Sequence, residues 1–87
     1  MSNFEVLKIN FKNIENDFRN NNVDVYVAKI ELESIITKLM IMHNKQNQFG
    51  VVELEIIETL FNAKKLLEEV THEIATQEKE EFLINNI

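Results

Sequence analysis

The sequence predicts an all-α protein, a three-helix antiparallel bundle in which a short helix 1 leans on a long hairpin of helices 2 and 3. Three observations lead there. The chain has no proline and a single glycine, Gly50, so the turns that a sheet needs are scarce. Three segments carry apolar residues at alternating spacings of three and four, the repeat of one helix face. Two polar stretches, Asn20–Asn22 and residues 44–50, separate those segments.

Helix 1 is expected over about residues 3–19. Ser2 suits an N-cap with Glu5 in capping-box position, and Phe4, Leu7, Phe11, Ile14 and Phe18 form one stripe. The asparagines end it, because asparagine tolerates left-handed backbone and competes for helical hydrogen bonds. Asp24 or Asn22 then caps helix 2, over about 24–44.

Helix 2 is the organising segment, since it is apolar on two sides. Val25, Ala28, Leu32, Ile35, Leu39 and Met42 make one stripe; Tyr26, Ile30, Ser34, Thr37 and Ile41 make a second, mixed one. Helix 3, over about 51–80, carries Ile56, Leu60, Ala63, Leu67, Val70 and Ile74. A hairpin about the 44–50 turn pairs Val25 with Val70, Ala28 with Leu67, Leu32 with Ala63, Ile35 with Leu60 and Leu39 with Ile56. Every layer is apolar. Helix 1 is expected over the second stripe, Phe18 on Tyr26 and Ile14 on Ile30, beside Leu54, Ile57 and Phe61. In this pairing helix 3 has no counterpart beyond about His72, and 81–87 reads as a possible tail. Met40, Ile74, Phe82 and Ile84 are therefore expected contacts in a homo-oligomer.

Eighty-seven residues make one domain, 1–87, and bury only about 60–65% of the unfolded surface, which also favours association. There is no cysteine, hence no disulfide or thiolate chemistry. No basic-plus-apolar leader precedes helix 1, and no apolar run approaches the roughly 20 residues that cross a bilayer. A cytoplasmic protein without membrane contact is expected.

The net charge of −6 is unevenly placed: residues 50–87 hold Lys64, Lys65 and Lys79 against nine glutamates, and the rest of the chain is neutral. Such a surface disfavours direct nucleic-acid binding and favours a basic partner. Glu55, Glu58, Glu69, Glu73 and Glu80 are read as an exposed row opposite the apolar stripe, a candidate acidic partner face that could compete for a nucleic-acid site. Arg19, Asn22, Tyr26 and Lys29 surround the start of helix 2, a candidate site for a small nucleotide-like anion. Glu69-x-x-His72 is half of a carboxylate-bridged metal motif, but His43 lies too far along the axis to complete it. No nucleophile pairing or phosphate loop is present, so no catalytic residue, cofactor or metal is assigned.

The functional expectation is a small non-enzymatic regulatory protein that binds and modulates another protein. An acidic nucleic-acid mimic and an oligomer that sequesters a small anion are the alternatives. Both layouts occur among phage counter-defence proteins, and asparagine- and isoleucine-rich small chains are common among bacterial and phage accessory proteins.

Overall fold

The computed structural model describes residues 3–45 and 53–85. They form three helices and no strand: α1 (Asn3–Arg19), α2 (Val25–Lys45) and α3 (Glu53–Asn85). The expected cap at Ser2 and the turn residues 46–50 lie outside the described residues. At about 1.5 Å per residue, α3 alone spans roughly 50 Å, most of the 58 Å length of a molecule only 21 by 15 Å across. α3 continues to Asn85, past the end expected near residue 80, so most of the anticipated tail is helical.

The corner between α1 and α2 shows how local chemistry stops one helix and starts the next. Asn21 sits at a φ of 56°, in the left-handed region. Asn22 N–H donates to the Asp17 carbonyl at 2.8 Å, and Asn21 N–H donates to that of Phe18 at 3.2 Å. This is a Schellman closure with asparagine where glycine is commonest. Asp24 then caps α2: its Oδ1 accepts from the N–H groups of Tyr26 at 2.9 Å and Val27 at 3.3 Å. Its carbonyl accepts from Ala28 N–H, the first helical bond.

One core joins all three helices, with Phe11, Leu32, Leu39, Ile56 and Val70 its largest fully enclosed side chains. α1 contributes Phe4, Leu7, Phe11 and Ile14, and α2 contributes its first stripe together with Ile36. On α3 the buried line is Ile56, Thr59, Ala63, Leu66, Val70 and Ile74, whereas Leu60 and Leu67 are only half-buried. The buried face is thus rotated from the expected one, toward the flank of α3 with Glu55, Glu58 and Thr59, where α1 lies.

Two further expectations are corrected. α1 does not cover the second stripe of α2, where Ile30 is 68% exposed and Tyr26 and Ile41 also face outward. Leu54, Ile57 and Phe61 are likewise exposed. α1 instead takes the opposite groove: Lys8, Phe11 and Lys12 share a cleft with Glu55, Glu58, Thr59 and Asn62 of α3. The register also differs. Tyr26 Oη donates to Glu78 Oε1 at 3.1 Å, and Val25 shares a cleft with Glu73 and Gln77. The start of α2 therefore lies about one to two turns farther along α3 than expected. That shift gives Ile74 a place in the core, at 8% exposure, and removes it from the candidate oligomer contacts.

Replacing Asp24 by alanine should lower unfolding stability by about 1 kcal/mol in chemical denaturation. Asn21→Gly should leave stability unchanged or raised, whereas Asn21→Val should cost about 1–2 kcal/mol. Equal stability of the two Asn21 variants would refute the role given to the left-handed residue.

Candidate functional site

The start of α2 was a candidate anion site, and the structure shows where its members go. The backbone donors that an anion would take, Tyr26 and Val27 N–H, are occupied by the Asp24 carboxylate. Arg19 Nη1 donates to Glu69 Oε2 and forms an ion pair with it. Lys29 Nζ lies 4.0 Å from Glu33 Oε1 along its own helix. Asn22 is exposed. The cleft at this corner is lined by Phe18, Arg19, Asn21, Val23, Asp24, Val25, Glu73 and Gln77. It holds one cation against two carboxylates, and Asn22, Tyr26 and Lys29 are not part of its lining. The four residues are neighbours in sequence, but the polar groups of Arg19, Tyr26 and Lys29 are turned to separate partners.

What the corner does possess is a clasp. Arg19–Glu69 and Tyr26–Glu78 tie the end of α1 and the start of α2 to the far half of α3, across sequence separations of 50 and 52 residues. The Glu69 hydrogen bond, with its charge, raises the Arg19 guanidinium above its ordinary value. The Glu78 hydrogen bond is the main cause that holds the Tyr26 phenol above its ordinary value, because ionisation would set phenolate against carboxylate. Both links are exposed to solvent, where screening weakens an ion pair such as Arg19–Glu69.

Four members of the acidic row, Glu55, Glu58, Glu73 and Glu80, are exposed as expected and Glu69 is partly so, but the row lies beside cations. Glu55 and Glu58 line the cleft with Lys8 and Lys12. Glu69 is paired with Arg19, and Glu73 lines the corner cleft with it. The three cations of α1 thus run along this flank of α3, and Glu80 alone of the five lies beyond them, exposed. A signal for this was present in the sequence: Lys8, Lys12 and Arg19 recur at spacings of four and seven, on one flank of α1 beside its apolar stripe. Glu69 of the Glu-x-x-His pair is turned to Arg19, and His72 is exposed. Among the described residues no group of three or more metal-ligating side chains gathers, and no helix is long and apolar enough to cross a membrane.

The remaining surface features are apolar. Leu54, Ile57 and Phe61 lie together near the start of α3, with Leu54 at 74% and Phe61 at 66% exposure. Met40 on α2 and Phe82, Leu83 and Ile84 at the end of α3 are exposed as well. Sequence reasoning had spent the first group on covering α1; the charge pattern of α1 would have left it open. Compared with family models, curated proteins and solved structures, the chain matches none.

Tyr26 is the lone tyrosine and there is no tryptophan, so phenolate absorbance reports this residue alone. The sign is set by the raised value: the phenol–Glu78 link is intact below the ordinary tyrosine range near 10 and is lost as pH rises through the higher folded value. Spectrophotometric titration should give a midpoint above that of free tyrosine, returning toward it in Glu78→Ala. An identical midpoint in both proteins would remove the clasp.

Proposed function

We propose that the chain is a non-catalytic interaction protein that binds and modulates a partner protein. Its scaffold is an up-down-up antiparallel bundle, and it self-associates. The order of contacts supports that layout. Lys8 and Lys12 adjoin Glu55 and Glu58, Arg19 adjoins Glu69, and Tyr26 reaches Glu78. α1 therefore runs in the same direction as the first half of α3, and the start of α2 reaches the second half. Leu7 and Ile14 share a cleft with Glu31 and Lys38, which sets α1 beside the middle of α2.

The observation that carries the functional reading is the combination of a complete core with large apolar side chains left outside it. A protein of this size can bury such residues, as it does Phe4 and Phe11, yet Leu54 and Phe61 stay in solvent. The whole chain carries −6. The partner that fits is an amphipathic segment with basic flanks, its apolar face on Leu54, Ile57 and Phe61. The localisation that goes with this reading is the cytoplasm.

The test uses the immobilised protein and extract of its source cell. Wild type is compared with Leu54→Ser/Phe61→Ser and with Glu69→Lys/Glu73→Lys/Glu80→Lys. The apolar variant should lose at least about tenfold in affinity for the captured protein, and the charge reversal should matter less. Loss on charge reversal alone would overturn the reading in favour of an acidic mimic. A response confined to Arg19→Ala and Lys29→Ala would instead point to anion capture.

A further inference from the structure

α2 carries two stripes, and the bundle uses only one. Val25, Ala28, Leu32, Ile35 and Leu39 are buried. On the opposite side Val27, Ile30, Ser34, Thr37 and Ile41 repeat at spacings of three, four, three and four, and all five are exposed. Not one of them is charged, in a protein whose residues are 28% charged. A solvated helix face has no reason to exclude charge over four turns, while a seam between two helices does.

The residues along one edge of this stripe identify the occupant. Glu31 and Lys38 are seven positions apart on the same edge, both exposed, and both border the cleft beside α1. Among the described residues neither forms an ion pair within its own protomer. An edge that carries one charge of each sign is complementary to itself when turned end for end.

We infer that α2 docks on α2 of a second copy of this chain in an antiparallel, twofold-symmetric pair. This deepens the self-association in the reading above. In the register that places Ile30 on Ile41 of the second copy, Ser34 meets Thr37 at the centre, where small side chains let the helices approach closely. Glu31 then lies beside Lys38 of the second copy, and symmetry repeats the ion pair. Sliding the helices by one heptad sets Glu31 against Glu31 and Ile30 against Ser34, so packing and charge select the same register. On the other edge Glu33 meets Met40, and no like charges are opposed. A parallel pair would bring together the two α3 ends, which hold all the net charge; the antiparallel pair sets them at opposite ends of the assembly.

The seam is roughly 20 Å long, and it buries less than the about 800 Å² per partner of stable complexes, so the pair dissociates on dilution. Sedimentation velocity of the full chain from about 5 to 500 μM should show a mass rising from the 10.3 kDa monomer toward twice that value. Ile30→Asp, at a solvent-facing position, should keep the circular dichroism spectrum and remain monomeric throughout. Glu31→Lys should weaken association at least about tenfold, and adding Lys38→Glu should restore it. A chain that is monomeric at every concentration overturns the inference. So does an oligomer indifferent to Ile30→Asp, or one harmed by Lys38→Glu but not by Glu31→Lys, which is the parallel pattern. The outcome is independent of whether a foreign partner is captured.

Discussion

The choice of groove for α1 decides the rest of this molecule. α2 and α3 present two grooves between them, and one short helix can fill only one. With its cations α1 lies along the glutamate flank of α3. Charge alone is too weak to dictate that choice, since an exposed ion pair gives no more than about 1 kcal/mol, while fully burying an isoleucine or phenylalanine gives about 1.5–3 kcal/mol. On α3, Leu54, Ile57 and Phe61 are left open.

The same placement changes what the acidic flank can offer. A row of carboxylates standing alone projects a field like that of a phosphate backbone; a row with lysines and an arginine alongside does not. The distal part of α3, beyond the cations of α1, carries Glu78, Glu80 and Glu81 with Lys79 among them, and its last turn has no basic residue. Carboxylates there oppose the helix dipole, so this end is the least favourable part of α3 electrostatically.

Much of the architecture was legible in the residues. Proline and glycine scarcity, the three-four spacing and the triple asparagine mark three helices and the corner between the first two, where Asn21 takes the left-handed conformation that such a residue tolerates. The register was not legible, for a definite reason. A stripe that repeats every seven residues matches itself after a shift of one heptad: Leu32 finds an apolar partner in Ala63 or in Val70 with equal ease. Nor could one stripe on α3 describe a helix with two neighbours, and hence Thr59 and Leu66 are buried where Leu60 and Leu67 were expected. The charges of α1 mark the side on which it packs, which apolar pairing alone does not. The exposed faces became visible only once that side was known.

The clasp at the asparagine corner joins residues about fifty positions apart, and this separation has a consequence for how the protein is born. α1 and α2 are synthesised before Glu69 and Glu78, so no interaction local to the corner can close it, and its locking depends on α3 having joined the other two helices.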